Sequence, residues 1–163
     1  EEWFYGFSEM ERSGHVFNLL TVHLYPYEFS TTHLRRGINR LAQGDPASIR
    51  ALQESGEEVV KAQSDQSAAL LDRVQRFQDP TIVAGDFNST RDSFLHGALR
   101  DTLIDTWEKG GRGYGGTVRF LDWLPLRVDY IYGTPSFSVV ESLVPRTECS
   151  NHRPIVSKMI LRD

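Results

Sequence analysis

The chain has 163 residues, of which 39% are hydrophobic and 25% charged, and its formal net charge is -4. This length is enough for one domain with its own core and too short for us to expect two. The negative charge argues against a basic surface that coats nucleic acid, although a nuclease in which metal ions carry the positive charge stays open. The single cysteine, Cys149, excludes an intrachain disulfide, and no apolar run is long enough to span a bilayer.

The first half of the chain predicts two strands followed by helix. The strands are predicted at residues 3–10 and 16–24, around a Ser-Gly turn signal. Asp45 is a candidate N-cap and Pro46 fits the first helical position. Apolar residues then recur to Phe77 with a period near 3.6, but Gly56 and Ser64-Asp65 interrupt the pattern. Two helices in series are therefore as compatible with it as one.

The second half alternates strands with short helix and loop. A strand is predicted at residues 81–85, and a short helix near Asp92 with Ser89 in a capping box. Five glycines within residues 110–116 predict a loop, and further strands are predicted at 128–132, 137–144 and 155–161. Apolar strands with helices between them favour an α/β sandwich over an all-β fold.

Polar side chains follow the strand at residues 81–85 directly, as Gly85-Asp86-Phe87-Asn88. On an extended strand end Asp86 and Asn88 would point to one side, with Phe87 turned into the core. Asp86 offers a base or a metal ligand, and Asn88 offers an amide donor that does not titrate. A plain tight turn is at least as common an explanation for these residue types.

Asp129 lies within an apolar strand, where a carboxylate needs a partner. One interpretation is a hydrogen bond to His152, which opens the last strand; the bond would fix the tautomer of the imidazole. The alternatives are an edge position facing solvent, or an ion pair with Arg127.

His23 also ends an apolar strand, and it could contact a phosphate or be a satisfied core residue. His15, His33 and His96 lack such a context and are predicted to lie on the surface. The sequence has no Gly-x-Ser-x-Gly elbow, no phosphate-binding Walker loop and no Cys/His zinc spacing. The oxygen-rich set of acceptors suits Mg²⁺ or Mn²⁺.

These segments, in this order, resemble the endonuclease/exonuclease/phosphatase superfamily, the metal-dependent phosphoesterases related to pancreatic-type deoxyribonuclease. Gly85-Asp86-Phe87-Asn88 matches the Gly-Asp-Phe-Asn signature of that family. The segment 127–131 is similar to its Arg-Ile-Asp-Tyr-Ile strand, 150–152 to its Ser-Asp-His terminus, and 22–24 to its Thr-His-Leu strand end.

The resemblance implies a role for each matched residue. Asp86 would orient or deprotonate the attacking water and Asn88 would hold the nucleophile or a phosphoryl oxygen. His152, paired with Asp129, would stabilise the pentacovalent phosphate or act as acid or base, and His23 would contact the phosphate. One or two Mg²⁺ (or Mn²⁺) ions, with Asp86 as a possible ligand, would offset the developing charge.

The family fold implied is a four-layer α/β sandwich with mixed, mostly antiparallel sheets flanked by helices. Its first half supplies an Asn and a metal-binding Glu, so residues 1–163 are expected to be the C-terminal part of one such domain. Asn151 stands where the family has a metal-binding aspartate, and an amide is a weaker ligand. We therefore expect this chain alone to bind Mg²⁺ poorly and to turn over slowly.

The expected substrate is a phosphodiester, with nucleic acid one candidate. A phosphatase or phospholipid phosphodiesterase of the same fold, and a catalytically dead binding module, are the alternatives. The chain could pair with a missing N-terminal half or with another chain. It is expected to be a soluble domain, and similar bacterial proteins include some with a membrane anchor at the N-terminus.

Overall fold

The computed structural model of the protein describes residues 4–26, 46–120, 124–147 and 149–162, with backbone alone for 46–59 and 120. Along these residues the elements are β1 (Tyr5–Arg12), β2 (His15–His23), α1 (Pro46–Gln75), β3 (Thr81–Asp86), α2 (Phe94–Arg100), β4 (Ile104–Asp105), α3 (Thr106–Gly110), β5 (Val118–Phe120), β6 (Leu124–Leu126), β7 (Asp129–Gly133), β8 (Phe137–Leu143) and β9 (Val156–Leu161).

The main sheet has five strands in the order β1-β2-β3-β7-β4. Strands β2 and β3 are parallel, and the other neighbours in this sheet are antiparallel. A parallel pair needs a long crossover, and α1 lies within the connection between β2 and β3. Strands β5 and β6 form one two-stranded sheet, and β8 and β9 form another. The prediction of an α/β fold with a mixed, mostly antiparallel sheet is confirmed.

The core lies between one face of the main sheet and helices α1 and α2. Alternation along the strands supplies the sheet side, so that Val83 and Tyr132, which are paired in register, are both fully buried. The helices supply the other side through leucines that are equally buried. The fully buried apolar members include Leu20, Leu70, Val83, Phe87, Leu99, Tyr130 and Tyr132.

The structure decides between one helix and two in series for the region up to Phe77, and it corrects the start of the next helix. Pro46 does begin α1, which runs as one helix of 30 residues past Ser64-Asp65; Asp45 and His33 lie outside the described residues. The predicted capping box at Ser89 is wrong. Helix α2 begins at Phe94 with Ser93 at its N-cap, because the Ser89 hydroxyl is bonded to the ring of His96 instead.

Four short elements, β4, α3, β5 and β6, have no counterpart in the prediction. They are two to five residues long, and a hydrophobic period cannot be recognised over so short a stretch. Among the described residues, no helix is long and apolar enough to cross a membrane.

Close contact between β2 and β3 depends on Gly85. Its φ is 150°, and a Cβ built there would lie 1.9 Å from the carbonyl oxygen of Val22, its partner in register. We expect Gly85→Ala to lower the free energy of unfolding by about 3 kcal/mol or more, because neither backbone can move aside. Urea unfolding followed by circular dichroism measures this.

Gly97→Ala is the matched control, since a Cβ at this position of α2 meets nothing within 4 Å. It is expected to leave stability unchanged or raise it by up to about 1 kcal/mol. Equal losses in the two variants would contradict the role assigned to Gly85.

Candidate active site

Three strand ends bring Asp86, Asp129 and His23 to one edge of the main sheet. Asp86 is the last residue of β3 and Asp129 the first of β7, and the two are partners in the antiparallel register. His23, the last residue of β2, is the parallel partner of Asp86 on the other side. Partners on neighbouring strands project from the same face, so the two carboxylates are held close together.

His152 completes this group from a separate segment of the chain. Its Nδ1 lies 2.9 Å from Asp129 Oδ2 and 4.0 Å from Asp86 Oδ2. An ionised carboxylate only accepts hydrogen bonds, so Nδ1 carries the hydrogen and donates a hydrogen bond to Asp129. That leaves Nε2 as the ring nitrogen able to accept a proton. The predicted contact between Asp129 and His152 is present, and we call Asp86, Asp129 and His152 the acidic-histidine cluster.

Thr117 connects the strand that carries Asp129 to the segment that carries His152. Its Oγ1 accepts hydrogen bonds from the backbone N–H groups of Val128 and Asp129 at 3.1 and 3.2 Å. Its carbonyl oxygen accepts from the N–H of Arg153 at 2.6 Å, next to His152. Thr117 is fully buried, so these bonds are shielded from water. Thr117 could not be recognised from the sequence, because a single threonine after a glycine-rich loop carries no local signal.

Asn88 both makes a turn and faces the site. Its φ is 46°, a left-handed conformation that asparagine tolerates. Its backbone N–H donates to Asp86 Oδ1 at 2.8 Å and its side-chain Nδ2 donates to the carbonyl oxygen of Leu24 at 2.9 Å. The tight-turn interpretation is therefore correct for the backbone, and Phe87 is buried as predicted. The amide of Asn88 keeps a second N–H that can donate to a ligand.

Burial raises the pKa of Asp86 above its usual value of 3.8. The N–H of Asn88 opposes this shift, the nearby charge of Asp129 adds to it, and His152 and His23 lower the pKa by smaller amounts. The carboxylate charge of Asp86 is thus not fully compensated by its neighbours. A cation bound here would stabilise the charged form.

The donor set fits a divalent cation in part. One ligand atom from each member of the acidic-histidine cluster lies within 4.8 Å of the other two. Carboxylate oxygens suit Mg²⁺ or Mn²⁺. However, Nδ1 of His152 is occupied by Asp129, so Asp86 is the member most available to a metal. Asn151, the weak ligand predicted beside it, is exposed.

The structure contradicts one prediction about His96 and one alternative for Arg127. His96 is fully buried rather than on the surface, with Nδ1 2.7 Å from the hydroxyl of Tyr132 and Nε2 3.0 Å from Ser89 Oγ. Burial lowers its pKa to about 3, so it is neutral near pH 7. The alternative pairing of Arg127 with Asp129 is also wrong.

Arg127 instead forms a buried bidentate pair with Asp105, at 2.7 and 3.1 Å. Asp105 also caps α3 by accepting from the N–H groups of Trp107 and Glu108. Sequence analysis did not single out Asp105, although an Asp that precedes a helical turn is a recognisable N-cap. Asp129 is partnered instead by His152 Nδ1 at 2.9 Å, and along β7 it pairs in register with Asp86 of β3.

The chain matches one family of known proteins in sequence and several solved structures in fold. A sequence model described as "Endonuclease/Exonuclease/phosphatase family" matches residues 15–152. No match was found among curated proteins.

Solved structures that share the fold include three from different organisms. An endonuclease/exonuclease/phosphatase from Bacteroides vulgatus superimposes with a TM-score of 0.63 at 15% identity, over 96% of this chain and 54% of that one. The mannosyl-6-phosphatase Bt3783 of Bacteroides thetaiotaomicron gives 0.52 at 18%, over 91% and 53%. D. rerio TDP2, complexed with single strand DNA product, gives 0.60 at 16%, over 94% and 60%. The chain thus spans little more than half the length of these structures.

Asp86→Asn is expected to make the protein more stable near pH 7. The amide still accepts from Asn88 and removes a charge that burial disfavours. Because the folded-state pKa is raised, the folded chain keeps its proton at a pH where the unfolded chain has lost it, and wild-type stability falls as the pH rises through that window. The gain should be absent near pH 3 and complete near pH 7, as measured by urea unfolding midpoints.

Asp92→Asn is the control, at an exposed loop position before α2. Its effect should be small and the same at both pH values. A wild-type protein that is more stable than Asp86→Asn near pH 7 would show that the cluster neutralises Asp86 fully.

Proposed function

Because the chain belongs to the endonuclease/exonuclease/phosphatase family, whose members are hydrolases acting on phosphoesters, we propose that its site hydrolyses a phosphodiester in a nuclease-like, Mg²⁺- or Mn²⁺-dependent reaction. The observation that carries the proposal is the hydrogen bond from His152 Nδ1 to Asp129, beside the partly compensated carboxylate of Asp86. This hydrolysis needs a bound water that can be deprotonated, an imidazole that can donate a proton, and oxygen atoms that can hold a cation.

Asp86 orients the attacking water and accepts its proton. The raised pKa makes this carboxylate a stronger base than an exposed aspartate. Asn88 holds a phosphoryl oxygen through the amide N–H that Leu24 does not use. Its left-handed backbone and the bond from Gln63 Nε2 to its carbonyl oxygen at 3.1 Å keep the amide in place.

His152 acts at the phosphate through Nε2. Asp129 orients the ring through its hydrogen bond with Nδ1, so that the ring as an imidazolium can offset negative charge on the pentacovalent phosphate or protonate the leaving oxygen. His23 is exposed beside Asp86, where it contacts the phosphate.

Asp86 is the residue of this chain that would hold a divalent cation, and Asn151 is proposed as a weak second ligand. The bound cation would neutralise charge on the phosphoryl oxygens. Mg²⁺ prefers six oxygen ligands, and the described side chains supply few of them. Water and the phosphoryl oxygens of the substrate would supply further ligands.

We also propose that residues 1–163 are the C-terminal part of one domain that pairs with an N-terminal half or another chain. The chain spans about half the length of the structures that share its fold. Apolar side chains on the two-stranded sheet β8–β9 support this, since Val140, Val156 and Ile160 are each at least half exposed.

A catalytically dead binding module is the second candidate, and Asn151 is the observation that favours it. A phosphatase or phospholipid phosphodiesterase is the rival within enzymes. The mannosyl-6-phosphatase among the similar structures shows that a phosphomonoester enzyme shares this fold. Assay of DNA, RNA, lipid and sugar phosphoesters with the full-length protein and Mg²⁺ separates these possibilities.

His152→Ala is expected to lower kcat of the full-length protein by about 10²- to 10⁴-fold, the usual contribution of a general acid or base. Asp129→Asn should lower it by a similar factor, because an amide can favour the wrong tautomer of the ring. Steady-state hydrolysis of a phosphodiester measures both. His15→Ala, at the exposed opposite end of β2, is the control and should retain full activity, whereas equal activity of His152→Ala and wild type would refute the proposed role.

Asn151→Asp is expected to tighten Mg²⁺ binding and raise activity at low Mg²⁺ in the full-length protein, because a carboxylate replaces an uncharged ligand. Titration of activity against Mg²⁺ gives the apparent affinity. Ser150→Asp, which adds the same charge one residue earlier, is the matched control and should have less effect. If neither the affinity nor the rate rises in Asn151→Asp, the metal role of this position is wrong.

A further inference from the structure

A second feature of the molecule is a pocket of about 310 Å³ outside the acidic-histidine cluster. We call it the aromatic pocket. Its lining combines aromatic rings with paired charges, and none of these residues has a catalytic role in the proposed function. The residues that line it are Arg91, Trp107, Glu108, Gly113, Tyr114 and Arg127.

The glycine-rich loop at residues 110–116 forms one side of this pocket by closing on the indole of Trp107. A Cβ at Gly111 or at Gly115 would lie 2.4 or 2.3 Å from the indole ring. The indole also donates its Nε1–H to the carbonyl oxygen of Gly113 at 3.1 Å. Gly111 and Gly115 are therefore needed for close packing on the ring.

This packing presents Tyr114 at the rim of the pocket. Tyr114 lies between Gly113 and Gly115, both with positive φ, and its side chain is 57% exposed. The loop is anchored by Trp107, so Tyr114 does not contribute to the core. An exposed aromatic ring on a fixed backbone is a surface on which a flat ligand can stack.

The charges of the pocket are already paired, which disfavours a second phosphate as the ligand. Arg127 donates two hydrogen bonds to the carboxylate of Asp105, and Arg91 lies 3.1 Å from Glu108. The Arg91–Glu108 pair still offers donors and an acceptor side by side. This arrangement suits an uncharged planar group whose edge carries both acceptors and donors.

Two residues that line the pocket are close in sequence to a member of the cluster, Asp129, and to Asn88, to which we assign a phosphoryl oxygen. Arg127 is two residues before Asp129, and Arg91 is three residues after Asn88. The Cα atoms are therefore at most about 7 and 11 Å apart, given the length of an extended chain. A nucleotide is long enough to place its phosphate at the cluster and its base in the pocket.

We propose that the aromatic pocket binds the nucleobase of the phosphodiester substrate, stacked on Tyr114 and read at its edge by Arg91 and Glu108. The inference rests on the proposed hydrolytic function and narrows its substrate class to nucleotide-containing esters. The pocket residues affect binding of the substrate and not the chemistry at phosphorus.

The test compares Tyr114→Ala with Tyr114→Phe in the full-length protein. The substrates are a dinucleotide and glycerophosphocholine, a phosphodiester without an aromatic ring. Loss of the ring should raise KM for the dinucleotide about tenfold with little change in kcat, because one stacked base contributes on that order. KM for glycerophosphocholine should not change, and Tyr114→Phe, which keeps the ring, should behave as wild type.

Equilibrium binding separates failure of this inference from failure of the proposed function. Isothermal titration with a nucleoside 5′-monophosphate and with ribose 5-phosphate needs no turnover. If no ester is hydrolysed, the proposed function fails, but tighter binding of the nucleotide that Tyr114→Ala abolishes still supports the pocket. If hydrolysis occurs and Tyr114→Ala affects both substrates equally or neither, the pocket inference is overturned. Equal binding of the two ligands also overturns it, since the sugar would then be sufficient.

Discussion

The pairing of β3 with β2 on one side and with β7 on the other is the constraint on which the site depends. The parallel register places His23 beside Asp86, and the antiparallel register places Asp129 opposite it. A shift of one residue would turn each side chain to the other face of the sheet. Gly85 allows β2 to approach, because a side chain there would meet the carbonyl oxygen of Val22. Sheet geometry thus places three of the site residues, His23, Asp86 and Asp129.

A buried layer of rings supports this edge of the sheet from the core side. The ring of His96 stacks on Tyr130 with centroids 3.9 Å apart, and it connects the hydroxyl of Tyr132 to Ser89. Strand β7, which carries Asp129, is thereby tied to the turn that carries Asn88. Burial keeps His96 neutral by lowering its pKa to about 3, so this link does not change with protonation near neutral pH. The polar atoms of the layer are satisfied, which offsets the cost of burying them.

The buried pair of Arg127 and Asp105 connects the two regions to which we assign binding. Its guanidinium lies over the ring of Tyr130, 4.5 Å from the centroid, and also lines the aromatic pocket. Asp105 fixes the start of α3, which carries Trp107 and Glu108. A substrate that occupies both regions would therefore contact parts of one continuous framework. In the proposed function the cluster would carry out the reaction, and the pocket would select the phosphoesters that bind.

The α/β class, the main strands and the residues of the cluster could be predicted from the sequence, because they depend on local periodicity and on ordered motifs such as Gly85-Asp86-Phe87-Asn88. The sequence also predicted the contact between Asp129 and His152. Tertiary structure alone decided that His96 is buried and that Arg127 pairs with Asp105. The roles of Thr117 and of the aromatic pocket could likewise be identified only from the tertiary structure. Each of these depends on contacts between residues distant in sequence, and a single histidine, arginine or threonine has no local pattern that reveals what packs around it.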